Sequence, residues 1–159
     1  RHKANLVIDT TSLTIHDLRR ELRTFVEGLG VQTDLAVRLN FVSFGFKYGI
    51  PRDCDLVIDI RFLPNPHFVE GLRKKTGLEQ EVSSYVLSFP EAQEFLDHYT
   101  KLLEFLLPKY AFEGKSYINI GVGCTGGKHR SVTIAEDLCK RLDHLEGFTT
   151  SVKHRDIFR

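Results

Sequence analysis

From Gly121 to Ser131 the chain reads Gly-Val-Gly-Cys-Thr-Gly-Gly-Lys-His-Arg-Ser, its densest concentration of groups that can hold an anion. Glycines let the backbone turn sharply with its N–H groups facing inward. Lys128, His129 and Arg130 add side-chain donors, and the planar guanidinium of Arg130 suits a two-pronged grip on phosphate. The segment lies between a predicted strand, Ser116 to Val122, and a predicted helix, Ser131 to about Leu145. The loop therefore opens a helix N-terminus, whose partial positive charge favours an anion. A glycine-rich turn with solvent-facing charges is the plain alternative, and it needs three basic residues beside four glycines by coincidence. The loop is not a Walker A element, which requires Gly where Val122 stands and Ser or Thr where His129 stands.

Cys124, five residues, then Arg130 and Ser131 form a Cys-x5-Arg-Ser pattern that resembles the loop of cysteine-dependent phosphatases. In that chemistry the loop amides and the arginine bind phosphate and a thiolate attacks phosphorus. Asp59, at a predicted strand end, is the candidate acid for the leaving group. Gly123 replaces the usual histidine, however, and Lys128-His129 is bulky where such loops stay small. A structural cysteine that lines a pocket fits these residues equally well.

A second cluster runs Asp59-Ile60-Arg61-Phe62-Leu63-Pro64-Asn65-Pro66-His67. Asp59 can accept sugar hydroxyls or an amine, Arg61 can grip phosphate, and His67 can donate or sense a proton. An Asp/Arg pair that merely pins a loop is the alternative. Cys124, His129 and His67 offer zinc-ligand types, but Cys-x4-His is not an established metal spacing, and no metal is expected.

The elements that must position these groups follow from hydrophobic periodicity. Asn5 to Asp9 reads as a strand. Thr14 is a plausible N-cap for a helix with Ile15, Leu18, Leu22, Phe25 and Val26 on one stripe, ending at Gly28 and Gly30. Leu35 to Phe44 alternates, with Leu35, Val37, Leu39 and Phe41 on one face. Asp55 to Ile60 reads as a short buried strand, and a long helix is expected from Glu91 to about Leu107 after a break at Pro90. Residues 76 to 113 hold seven Asp/Glu and two Lys, the signature of a solvated outer face. Thr149 to Lys153 reads as a last strand. Alternating strands and helices predict an α/β fold, a mostly parallel sheet flanked by helices with ligands at the carboxyl ends of the strands.

The chain has 159 residues, the size of one domain, and can bury about 70% of its unfolded surface without staples. A net charge of +1 supplies no global field to recruit nucleic acid or an anionic membrane. No apolar run approaches the roughly 20 residues of a membrane-spanning helix, and no secretory signal opens the chain. Three cysteines without a Cys-x-x-Cys pair predict a reducing, cytoplasmic setting. The absence of Met points to a piece of a longer chain.

Ser43-Phe44-Gly45-Phe46-Lys47-Tyr48-Gly49, the run Asp59 to His67, and Gly123 to Val132 together resemble the RapZ/YvcJ family, with likeness spanning about residues 4 to 156. The resemblance implies that residues 1–30 are the last strand and helix of a preceding P-loop domain and that residues 31–159 form a RapZ-type C-terminal domain. It implies a sheet similar to a phosphofructokinase subdomain, with a pocket for a phosphorylated amino sugar of the glucosamine-6-phosphate type. Characterised RapZ-type members are RNA-binding adaptors that present a small regulatory RNA to an endoribonuclease, with the sugar phosphate competing. Carried to this chain, the pocket positions are Asp59, His67, Cys124, Thr125, Gly126, Gly127, His129 and Arg130. Lys47, Arg61, Lys128 and Arg130 become expected contacts for phosphate or RNA. The domain is expected to be non-catalytic, to need no cofactor in this piece, and to form a homo-oligomer, with Phe105 and Leu106 as a packing face. The tripeptide His154-Arg155-Asp156 imitates a kinase motif without any other kinase element.

Overall fold

The computed structural model describes residues 4–30 and 36–159, without the side chains of His16 and Arg23. Helix α1 spans Ile15–Gly28. The Thr14 hydroxyl accepts from the Asp17 N–H at 3.2 Å while the Asp17 carboxylate accepts from the Thr14 N–H at 3.1 Å, a reciprocal cap that satisfies two otherwise orphaned donors. Residues 5–9 form no strand, contrary to the sequence expectation; no strand among the described residues pairs with them. The stripe of α1 is incompletely covered, with Ile15 and Leu22 exposed and Leu18, Phe25 and Val26 half-buried.

Strands β1 (Val37–Gly45), β2 (Leu56–Asp59), β3 (Tyr117–Cys124) and β4 (Phe148–His154) form one sheet in the order β2-β3-β1-β4. Every pairing is parallel. Between β2 and β3 lie α2 (Gln80–Leu87) and α3 (Pro90–Phe112), and α4 (Arg130–Leu142) links β3 to β4. The fold is the expected α/β arrangement. Leu35, expected on the buried face of β1, lies outside the described residues.

Period-2 alternation sorts the strands into two faces. Leu39 and Phe41 of β1 and Ile118, Ile120 and Val122 of β3 are fully buried against Ile134 and Leu138 of α4 and Leu96, Leu103 and Leu107 of α3. On the opposite face, Asn40 donates to Asn119 at 2.9 Å and accepts from Ser151 at 2.6 Å. The break expected at Pro90 is present: α2 ends at Leu87, and Pro90 opens α3 in its first turn, where its missing N–H costs nothing. The helix also runs five residues past Leu107, through Pro108. Pro108 lies on the exposed side, where water can serve the carbonyl it frees, while Leu103 and Leu107 anchor the opposite side.

Candidate functional site

Strand register brings the chemistry-bearing residues to one place. Gly45 stands opposite Cys124, Asp59 opposite Gly123, and Ser43 opposite His154. The segments that follow, Phe46–Tyr48, Ile60–Arg61, Thr125–Arg130 and Arg155–Asp156, therefore share the carboxyl edge of the sheet. Further main-chain bonds tie them together. The Ile60 N–H donates to Gly123 O at 3.0 Å, and the Lys47 N–H to Thr125 O at 3.3 Å.

The glycine loop is shaped by close packing. Gly127 has φ +74°, and a Cβ there would stand 2.6 Å from the Gly45 nitrogen; a Cβ on Gly45 would meet the Gly126 carbonyl carbon at 2.6 Å. Only hydrogen fits at either position, so the first motif and the loop press backbone against backbone. The Cys124 Sγ is buried, accepts the Gly127 N–H at 3.2 Å, and lies 3.2 Å from the Ser131 hydroxyl. The Cys-x5-Arg-Ser spacing thus folds into a compact turn around the sulfur.

Arg130 opens α4 and is 4% exposed. Its Nη1 donates to the carbonyls of Arg61 at 3.0 Å and Leu63 at 2.7 Å, and its Nη2 to the Thr125 hydroxyl at 3.2 Å. Burial pulls its pKa below the ordinary value, against the opposing charge of Asp59, but an arginine stays a cation throughout the physiological range. Arg130 therefore clamps the Asp59–His67 segment to the glycine loop and leaves a buried positive charge between them.

Asp59 and Arg61 form a two-pronged pair, with Nη2 to Oδ2 at 2.6 Å and Nε to Oδ1 at 3.0 Å. The Arg61 guanidinium also lies 4.4 Å from the centre of the Phe46 ring. Hydrogen bonds from Arg61 hold the Asp59 carboxyl below the usual carboxylate range, and it stays ionised. His129 is 7% exposed, and its Nε2 is buried without a hydrogen-bond partner. Burial lowers its pKa, against a smaller opposing effect from the main-chain groups of Arg73 and Lys75, so the ring is neutral at pH 7. Its centre lies 6.4 Å from that of the exposed His67.

Each expected site residue lies at or beside this edge. Thr125 is exposed, and Gly126 and Lys128 are half-buried, with Lys128 O accepting from the Gly77 N–H at 2.9 Å. Lys47 is exposed and rests 4.6 Å from the centre of the Tyr48 ring. Among the described residues, no group of three His, Cys, Asp or Glu side chains is disposed to hold a metal ion.

Sequence reasoning missed the groups beneath the loop. Asp156 is fully buried and accepts the Gly45 N–H at 2.9 Å and the Arg155 guanidinium at 2.7 Å. Arg155 Nη2 also donates to Gly49 O at 2.7 Å. The tripeptide dismissed as a false kinase motif is thus the strut under the site. A buried ion pair at a strand end leaves no periodic signal. The only hint was a charged pair next to the apolar Ile157.

Residues 37–158 match the family described as RapZ C-terminal domain. Over 159 residues the chain is 53% identical to nucleotide-binding protein SCO1952 of Streptomyces coelicolor, covering 100% of this chain and 52% of that protein. A nucleotide-binding protein of Agathobacter rectalis is 48% identical over 159 residues, covering 99% of this chain and 53% of its own length. A third, ABC3036 of Shouchella clausii, is 53% identical over 155 residues, covering 98% and 51%. The chain spans about half the length of these relatives. The three strings that carried the resemblance lie within the matched residues and build the shared edge just described. The chain belongs to the RapZ C-terminal domain family.

Proposed function

We propose that this domain is a non-catalytic sensor that binds a phosphorylated amino sugar at the carboxyl edge of its sheet. The observation that carries the reading is Arg130, a buried cation pinned between the glycine loop and the Asp59–His67 segment. Arg130 and the inward amides attract the phosphate. Asp59, ionised, suits an ammonium or sugar hydroxyls, and the unpartnered His129 Nε2 offers one more hydrogen bond. Lys47, Arg61 and Lys128 form a basic rim on which a small regulatory RNA competes with the sugar phosphate, and through which the protein serves an endoribonuclease as adaptor. The domain works as a homo-oligomer. The relatives are named nucleotide-binding proteins, and a nucleotide role for the whole protein accords with those names. Three free cysteines accord with the cytoplasm, and no helix among the described residues is long and apolar enough to cross a membrane.

The test is phosphorus NMR of glucosamine-6-phosphate with near-stoichiometric protein, followed over hours. A shifted or broadened ester signal without free phosphate is expected. Arg130→Ala should weaken the complex by about 1.5–3 kcal/mol, roughly ten- to a hundredfold. An unchanged dissociation constant in a folded variant sinks the assignment. One observation favours a second reading, a cysteine-dependent phosphatase: the Gly127 N–H and Ser131 hydroxyl both address the Cys124 sulfur. Against it, Asp59 is held ionised by Arg61 and is poorly placed to give a proton. Growth of free phosphate, abolished in Cys124→Ser, would establish the enzyme.

A further inference from the structure

Strand β4 stands at one end of the sheet, hydrogen-bonded among the described residues to β1 alone. Its register settles where its main chain points. The Val37 N–H donates to Gly147 O at 2.8 Å, and the Arg155 N–H to Ser43 O at 3.0 Å. Alternate residues of a strand turn their N–H and C=O to the same side. Thr149, Ser151 and Lys153 therefore turn theirs to β1, while Thr150, Val152 and His154 turn theirs outward. Among the described residues, no group pairs with the main chain of these three. Phe148, which also faces outward, has its N–H engaged by Leu145 O at 3.2 Å and its carbonyl free.

Open edges are normally guarded by proline, bulges, short strands or clustered charge. β4 runs for seven residues without proline and in continuous register with β1, and Lys153 is its one fixed charge. Its polar side chains are tied inward. The Ser151 hydroxyl donates to Asn40 Oδ1 at 2.6 Å and the Thr150 hydroxyl to Asp143 at 2.7 Å. The His154 ring lies 2.9 Å from Ser43 Oγ and 3.1 Å from the Glu136 carboxylate. What remains on the edge is a row of main-chain donors and acceptors whose side chains have little freedom left to lose.

We propose that this edge takes β4 of a second copy of the chain, antiparallel about a two-fold axis at Ser151, so that two four-stranded sheets join into one. The proposal rests on the homo-oligomer reading and names its surface. In that register Thr150 and Val152 of the second copy exchange both their bonds, and the His154 N–H meets the free carbonyl of Phe148. Thr149 stands opposite Lys153, so the two lysines do not face one another. The same axis sets α4 beside its counterpart. The Thr150–Asp143 and His154–Glu136 contacts put Ser151 level with the stretch of α4 between Lys140 and Asp143, so Lys140 of each copy faces Asp143 of the other. Lys140 is exposed and enters no ion pair among the described residues. This match of opposite charges favours a second copy over an unrelated strand. Phe105 of α3, the packing face expected from the sequence, already carries the Lys109 ammonium 4.2 Å from its ring centre.

Sedimentation equilibrium and cysteine cross-linking on this chain test the proposal. The parent chain should dimerise. Val152→Pro removes an outward N–H and keeps the bonds to β1, since an edge strand tolerates proline on its open side. Its dimer dissociation constant should rise at least about tenfold, with a thermal midpoint that verifies folding. Ser151→Cys sets two sulfurs at the axis, where the Cα atoms of a non-hydrogen-bonded pair stand about 4.5 Å apart, within reach of a disulfide. Mild oxidation should link this variant into a covalent dimer, while Lys153→Cys and the parent, with its own three cysteines, stay unlinked. The cross-link decides the matter if the proline variant does not fold. A dimer that is indifferent to Val152→Pro, that fails to link through Ser151→Cys, or that links equally through Lys153→Cys overturns the β4 edge and spares the homo-oligomer reading. A parent chain still monomeric at about 100 μM overturns both and leaves the edge to an extended segment of another protein.

Discussion

Asp156 gives the sharpest quantitative handle on how the site is held. Its carboxylate is fully buried, accepts the Gly45 N–H at 2.9 Å, and takes two bonds from Arg155 through Nε at 3.0 Å and Nη2 at 2.7 Å. Asp156→Ala orphans the Gly45 N–H, at about 1–3 kcal/mol. It also strips the partner from Arg155, whose side chain keeps 25% exposure and a bond to Gly49 O, so that loss falls short of the roughly 3–5 kcal/mol for a fully buried pair. Together these amount to about 3–4 kcal/mol, a large share of the roughly 5–15 kcal/mol stability of a domain. Asp156→Asn keeps an acceptor for Gly45 and loses only the charge, at about 1–2 kcal/mol. Urea unfolding should show midpoints lowered by about 1–3 M for the alanine variant and by less for asparagine.

The same carboxylate predicts a pH dependence. Burial raises its pKa, but hydrogen bonds from Arg155 and the Gly45 N–H, with the charges of Arg155 and Arg159, outweigh burial and hold it below the ordinary value. A depressed folded pKa means that the unfolded chain binds the proton more readily. The contribution is complete above the unfolded value, about pH 4, and is lost as pH falls through the folded value. The gap between parent and Asp156→Asn should therefore be full at pH 7 and close below about pH 4. Carboxylates common to both proteins cancel in this difference. A gap under about 0.5 kcal/mol at pH 7, or one that stays constant on acidification, refutes the role of the strut.

Gly127→Ala meets both a φ of +74° and a Cβ placed 2.6 Å from the Gly45 nitrogen. The left-handed conformation alone costs about 1–2 kcal/mol, and the clash adds to it, so the thermal midpoint should fall by at least about 5 °C. A midpoint within about 2 °C of the parent would show that the loop relaxes freely. His129 has a folded pKa lowered by burial, so the unfolded chain takes up more protons below about pH 6.5 and stability should fall there as the medium is acidified. His129→Gln should remove that part of the slope between about pH 7.5 and 5.5, measured by urea midpoints, and identical slopes would contradict a neutral buried ring.

Much of the architecture was legible because it rests on local signals. The Thr14 cap, the alternation through β1 and the apolar runs of β2 and β3 all place their elements within a few residues of those observed. The glycine loop was legible as a tight turn into α4 because glycine spacing is local too. Asn5 to Asp9 misled for the same reason in reverse. Three apolar residues, Leu6 to Ile8, between Asn5 and Asp9 resemble a strand, but a strand exists only where a neighbour completes its hydrogen bonds. The end of α3 misled through Pro108, whose penalty depends on whether its face meets water.

The amino-acid order by itself determined which segments could be strands and helices, and which residue types could hold an anion. Periodicity, caps and backbone sterics act over a few residues. Register decided the rest: Gly45 beside Cys124, Asp59 beside Gly123, His154 beside Ser43. Only that alignment buries Arg130 and sets its guanidinium against the carbonyls of Arg61 and Leu63. Only it sets Asp156 under Gly45. Partners 64 to 111 residues apart cannot be paired from local preference, because what selects them is the burial of charge and the satisfaction of main-chain donors, and both exist only once the chain has folded.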